Sequence, residues 1–302
     1  MRILDAFKER YSQIVDDEPA FFDCLMQPLP KSFRVNTLKS NIDNVKKRFA
    51  GYGIKLTQMP WYDEAFISDN LEVGSTLEHF HGDIYLQELV SMIPAITIKE
   101  ELSNARLVLD ACAAPGSKTT QMAAIMNNKG TIVANDLSYA RIRALRFNLE
   151  KTGTINTVIT NYDIRRMSKN QFEVILLDVP CSAEGTFRKN SELSKIWTMK
   201  QILSNSHLQK QLITKAFDLL APGGTLVYST CTFAPEENEE VVNHLLENRD
   251  AKIEKIEIPD IHMSWGIEEW NTKQFDPQLK KTVRIWPHHN NTGGFYIAKV
   301  TK

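Results

Sequence analysis

The spacing of apolar residues changes along this chain, and the change divides it. Residues 1 to about 30 carry apolar side chains at helical spacing and predict two short amphipathic helices ending at QPLP. SFRVNT reads as a strand, NIDNVKKRFAGYG as a helix with Asn41 as N-cap and Gly51 near its end, and IKLTQMPW as a second strand. Residues 78–101 read as helical, with Gln87-Glu88 near the start. From residue 105 onward, short apolar runs alternate with helical stretches. RLVLD, GTIVAND, NTVITNYD, FEVILLD, TLVYST and GFYIAKV are predicted strands. KTTQMAAIMNN, LSYARIRALRFNLEK, NSHLQKQLITKAFDLLAPGG and EENEEVVNHLLEN are predicted helices. That alternation predicts an α/β fold with a parallel sheet covered on both faces. The expected division is an N-terminal helical and small α+β domain over 1–100 and a larger domain over 101–302.

Composition narrows the class. The chain has 302 residues, 42% hydrophobic and 24% charged, as in ordinary packed proteins. No apolar run reaches the ~18 residues of a membrane-spanning helix. The start, MRILDAFKERYSQ, lacks the apolar core of a secretory signal, so the expected location is cytoplasmic with no membrane partner. Cys24, Cys112, Cys181 and Cys231 form no C-x-x-C pair and no Cys/His cluster at metal spacing, so no metal is expected. Each cysteine is then a buried structural thiol or a catalytic one. Net charge is -1, but Lys31 to Lys55 holds seven basic residues against Asp43 alone. That block is either a phosphate-facing patch or a solvated helix face.

Ligands of such sheets sit beyond the carboxyl ends of the strands. Asp110, Asp136, Asp163 and Asp178 all end predicted strands, and Cys181 and Cys231 follow two of them. The loop DACAAPGSKT is neither a dinucleotide fingerprint nor a P-loop, so a phosphate cradle is poorly supported. Its small residues Ala113, Ala114 and Gly116 permit close approach of a ligand, and Lys118 sits at the helix start. Asp136 stands where an acid grips a ribose diol. A ligand with a ribose and no required phosphate fits, as S-adenosylmethionine does, with Asp163 free to accept from the adenine amine. A tight turn between strand and helix is the plainer alternative.

DACAAPGSKT, DVPCSAEG and STCTFAPEENE, in this order, resemble the motifs of RNA (cytosine-5) methyltransferases of the NOL/NOP2/Sun (NSUN) family. FRVNTLK, GDIYLQE and RIWPHHNNTGGFYIAKV are similar to that family as well, so the likeness spans roughly residues 30–300. Ser117 stands where the family usually has a second glycine, and Gly294 where an aspartate is common. The resemblance implies a Rossmann-like S-adenosylmethionine-dependent methyltransferase sheet with a small N-terminal α+β (RRM-like) domain that presents RNA. It implies cofactor contacts from Cys112, Ala113, Ala114, Pro115, Gly116, Ser117, Lys118, Asp136, Asp163 and Asp178. It also implies that Cys231 attacks the base, that Cys181 assists product release, and that Asp178 serves the activated ring. A thiolate adding to carbon 6 makes carbon 5 nucleophilic, which is why the chemistry needs a cysteine. A helix starting at Pro235-Glu236 would bring a positive dipole end near Cys231. Arg141, Arg143, Arg146, Arg165 and Arg166 are candidate phosphate contacts for the RNA. The expected substrate is tRNA, because the chain is compact, with rRNA as runner-up, and the expected state is a monomer. A noncatalytic RNA-binding assembly factor that keeps the fold is the rival from another class.

Overall fold

The computed structural model describes residues 4–70, 72–168 and 171–302. The first three residues of the predicted N-terminal helix lie outside them. Two short helices open the chain, α1 (Asp5–Tyr11) and α2 (Glu18–Met26), the second capped by Asp17, which accepts from Ala20 N. Their apolar faces, Phe7, Tyr11, Phe21 and Leu25, pack on Phe187, Phe233 and Trp286 of the larger unit.

A small sheet follows, built from β1 (Lys31–Val35), β2 (Leu56–Met59), β3 (Tyr62–Ser68) and β4 (Ile84–Leu86) in the order β2-β3-β1-β4. Helix α3 (Ile42–Gly51), with Asn41 accepting from Asn44 N as its cap, lays Val45 and Phe49 on Phe33, Val35, Phe66 and Ile84. The reading of 78–101 as one helix is corrected. Helix α4 (Leu77–His81) stops at Gly82, β4 comes next, and Pro94 opens α5 (Ile93–Ile96) ahead of α6 (Lys99–Asn104). Proline is accepted in a first turn and breaks a longer helix, which is why the apolar run here is segmented.

The larger sheet has nine strands: β5 (Leu107–Asp110), β6 (Thr131–Asn135), β7 (Thr157–Thr160), β8 (Phe172–Asp178), β9 (Leu220–Thr230), β10 (Lys252–Glu254), β11 (Ser264–Trp265), β14 (Val283–Ile285) and β15 (Phe295–Thr301). A separate hairpin joins β12 (Glu269–Trp270) and β13 (Lys273–Gln274). The longer helices flanking the sheet are α7 (Ser117–Ile125), α8 (Tyr139–Thr152), α9 (Met199–Asp218) and α10 (Glu239–Asn248). Strands β5 to β9 pair in parallel, as alternation with helices requires. The all-parallel expectation fails beyond β9. Strand β15 runs antiparallel to β9, and β14 and β10 run antiparallel to β15. Nine residues, 286–294, with α11 (Pro287–Asn290) among them, separate β14 from β15, too few for a parallel crossover.

Side chains alternate along the central strands. Leu109, Ile175, Leu177, Leu226 and Tyr228 face α9 and α10, while Val108, Val174, Leu176 and Val227 face α5 and α7. Each face is therefore buried, as the continuous apolar runs predicted. The small sheet is locked on by polar contacts. Buried Arg34 donates to Gln87 Oε1 at 3.3 Å and to Thr120 Oγ1 at 3.2 Å, and Asn36 Nδ2 donates to the Thr152 carbonyl at 2.8 Å. At the other end, His288 and His289 meet the Asp16 carboxylate at 3.0 and 2.9 Å, tying the α1–α2 loop to α11.

Candidate active site

Strand order β6-β5-β8-β9 sets four carboxyl ends side by side. Asp178 at the end of β8 lies opposite Ser229 of β9. Cys181 and Cys231 leave the sheet just beyond these two positions, and their Sγ atoms lie 3.3 Å apart as free thiols. Lys118, one residue into α7, donates from Nζ to Asp178 Oδ2 at 2.7 Å, and Ser229 Oγ donates to Asp178 Oδ1 at 2.8 Å. Burial disfavours the Lys118 charge, but Asp178, Cys231 and Asp110 outweigh it, and the ammonium is held above its ordinary range. The hydrogen bond to Cys231, followed by burial, pushes the Cys181 thiol well up. A cleft beside the pair is lined by Cys231 with Glu88, Ser91, Thr186, Lys189 and Phe295. Cys181 is not among the residues of that lining.

The loop from Cys112 to Lys118 turns across the ends of β5 and β6. Thr119 Oγ1 donates to buried Asp110 at 2.6 Å, and burial raises this carboxyl to about 7. Asp136 accepts from Ala114 N at 3.1 Å and Ser138 N at 2.9 Å, and it pairs with Arg141 at 3.4 Å. Burial beside Asp110 and Asp136 pushes the Cys112 thiol well up, so this cysteine stays protonated. Ser117 is the first residue of α7, an ordinary helical position that does not require glycine. Asp163 does not end a strand. Strand β7 stops at Thr160, and Asp163 caps a short turn, where its hydrogen bond from Arg165 draws the carboxyl down.

One further expectation is corrected. Helix α10 begins at Glu239 rather than Pro235, after the non-helical backbone of Asn238, and the buried Glu239 carboxylate in its first turn accepts from Arg284 Nε at 2.6 Å. Its first turn thus carries acids of its own, Glu239 and Glu240, at the positive end of the dipole. Of the basic residues, Arg34 is buried and Arg48 pairs with Asp83 at 2.7 Å. Arg141, Arg146 and Arg165 pair with Asp136, Glu150 and Asp163, whereas Lys31, Lys47, Lys55, Arg143 and Arg166 are exposed.

Sequence reasoning passed over two acids behind the thiols. Glu184 is buried between the two cysteine loops, and Glu237 accepts from Ser182 N at 3.1 Å and Gln209 Nε2 at 2.8 Å. The signal was their position inside the cysteine motifs, charged residues in stretches that otherwise bury themselves. Burial raises Glu237 from 4.5 to about 7. The folded chain then holds a proton that the unfolded chain has released, so this group's contribution to stability falls as pH rises from 4.5 to about 7. Thermal melts across pH 4–8 should therefore show a smaller decline for Glu237→Gln than for the unsubstituted protein.

Gly294, where the related motif commonly has aspartate, is explained by packing. A Cβ there would overlap the Phe233 ring, and one at Gly185 would overlap the Gly294 backbone, to which it is bound by Gly294 N donating to Gly185 O at 2.9 Å. Gly294→Ala should displace Phe233, two residues beyond Cys231. The expected cost is about 1–3 kcal/mol in denaturant unfolding, together with lower activity.

The family model described as 16S rRNA methyltransferase RsmB/F matches residues 97–301, and that of the N-terminal domain of 16S rRNA methyltransferase RsmF matches residues 3–89. The tRNA (cytosine(49)-C(5))-methyltransferase of Pyrococcus abyssi is 42% identical over 97% of this chain and 94% of its own length. The ribosomal RNA small subunit methyltransferase F of Vibrio parahaemolyticus is 38% identical over 99% of this chain, which spans 63% of that relative. A solved methyltransferase homologue from Pyrococcus horikoshii superposes with a TM-score of 0.87 at 33% identity, covering 98% of this chain and 94% of that one.

Proposed function

This chain belongs to the RsmB/F family of RNA methyltransferases, and we propose that it methylates carbon 5 of a cytosine in tRNA through covalent attack by Cys231. The family makes it a transferase of the RNA cytosine-5 class with a Rossmann-like fold. The choice of tRNA is supported by the 42% identity to the tRNA enzyme across nearly the whole of both chains. The rRNA enzymes, at 38% identity, supply the alternative. The single observation that carries the mechanism is the 3.3 Å approach of two free thiols, with Cys231 alone of the two lining the cleft.

S-adenosylmethionine is the methyl donor of such enzymes, and the residues present suit it. Asp136, Asp163 and Asp178 offer carboxylates for a ribose diol, an exocyclic amine and an ammonium. Leu137, Tyr139 and Tyr162 expose apolar surface beyond β6 and β7 that a purine would cover. The bound donor supplies an electrophilic methyl carbon on its sulfonium. The loop from Cys112 to Ser117 would hold it, its small residues letting the backbone approach.

The chain's own residues do the rest. Cys231 adds as a thiolate to carbon 6 of the flipped cytosine, and the ring's electrons become available at carbon 5. Lys118 places a cation near the reacting sulfur, and Asp178 holds that lysine at 2.7 Å. After carbon 5 is methylated, its proton passes to a base as the carbon 6–sulfur bond breaks and Cys231 leaves as thiolate. Cys181, against the Cys231 sulfur, serves this second half. The domain of residues 1–100 presents the RNA, with Lys31, Lys47 and Lys55 available to phosphates. Incubating the protein with labelled donor and either total tRNA or 30S subunits, followed by bisulfite sequencing, tests the substrate. Methylation of tRNA is expected, and product confined to 16S rRNA would select the alternative.

A further inference from the structure

Glu184 lies within the DVPCSAEG motif, is fully buried, and has no part in the two-thiol chemistry. Its carboxylate accepts from four donors on three stretches of chain. These are Tyr11 Oη of α1 at 2.6 and 2.7 Å, Trp197 Nε1 at 2.5 Å, Thr232 Oγ1 at 2.6 Å and Phe233 N at 2.9 Å. A carboxylate offers about four lone-pair directions, so its acceptor capacity is filled. Thr232 and Phe233 directly follow Cys231, and Gly185 N donates to the Cys231 carbonyl at 2.9 Å. The Ser182 and Thr232 hydroxyls add a contact at 2.6 Å. Glu184 thus ties the loop carrying Cys181 to the loop carrying Cys231. Burial, and then the Glu184 charge, push the Tyr11 phenol well up, so Tyr11 remains a donor.

We propose that Glu184 is a positioning residue for product release, holding the Cys181 thiol against the Cys231 sulfur, with Tyr11 of the N-terminal helix as one of its arms. The inference rests on the covalent reading above. Attack uses Cys231 with Lys118 and Asp178 and does not use Cys181. Release needs both sulfurs in register on one bound base, so loosening the tie between the loops falls on release. A misplacement of about 1 Å is enough for about a 100-fold loss in such a step.

The variants are Glu184→Gln, whose amide turns hydrogens toward two of the four donors, and Tyr11→Phe, which removes one donor and leaves the packing. Both are compared with Cys181→Ala in single-turnover and steady-state methylation of tRNA, and adduct is read on denaturing gels. Glu184→Gln should keep its first turnover within about threefold of the unsubstituted protein. Its steady-state rate should fall about 100-fold, with protein–RNA adduct accumulating. Tyr11→Phe should shift the same way by less, and it decides the matter alone if Glu184→Gln does not fold. Equal losses in both phases without adduct, or an unchanged steady state, overturn the proposal. If Cys181→Ala yields adduct and the Glu184 and Tyr11 variants do not, only this inference falls. If Cys181→Ala itself yields none, the covalent reading fails and takes the inference with it.

Discussion

Replacing Cys231 with alanine should abolish 5-methylcytosine formation, with a loss on the order of 10⁴–10⁶-fold, the scale at which removing a covalent nucleophile leaves only binding and orientation. A methyl group cannot add to carbon 6, and carbon 5 of an intact cytosine does not attack the donor. The expected pattern is full tRNA binding, a melting temperature close to that of the unsubstituted protein, and no label transferred. Radiolabel transfer and a thermal melt on the same preparation check it. The reverse pattern, an active Cys231→Ala beside a dead Cys181→Ala, would assign the attack to the Pro-Cys thiol, the arrangement expected of a DNA cytosine-5 enzyme.

Cys181→Ala should methylate once and then stall. We expect first-turnover transfer to survive while the steady-state rate falls about 10²–10⁴-fold, the usual worth of a positioned acid or base. The retained species is methylated RNA still bonded to the protein. The cause that most raises the Cys181 thiol is its hydrogen bond to Cys231. Once Cys231 is bonded to the base, its sulfur is a neutral thioether and that cause is gone. Cys181 then sheds its proton more readily. Release should therefore slow as pH falls, whereas Cys181→Ala should show a flat and low release rate. Quench-flow methylation across pH 6–9 separates the two phases.

The strand ends were legible because β5, β8 and β9 are buried on both faces and β5, β6, β8 and β9 each run into an acid or a thiol, whereas β7 is partly exposed and stops at Thr160. The juxtaposition of Cys181 and Cys231 also follows from chain order, since β8 and β9 are consecutive strands that pair in parallel. What was hidden depends on partners far away in sequence. Arg34 counts as a surface charge in any tally of residues 31–55, yet its contacts to Gln87 and Thr120 bury it. Glu184 draws Tyr11 from 173 residues away, and no local pattern marks that pairing. The antiparallel return of β14 and β15 was missed because short apolar runs carry no direction; only the brevity of the nine-residue link between them decides it. The start of helix α10 at Glu239, whose buried carboxylate meets Arg284 from 45 residues away, is likewise marked by no local pattern.

The most direct test of the central claim is the site of covalent attachment. Cys181→Ala, incubated with donor and tRNA, digested with nuclease and protease and analysed by tandem mass spectrometry, should yield one modified peptide, with a methylated cytidine residue on Cys231. Attachment at any other residue, or no attachment while methylated tRNA is released at the unsubstituted rate, would contradict the account.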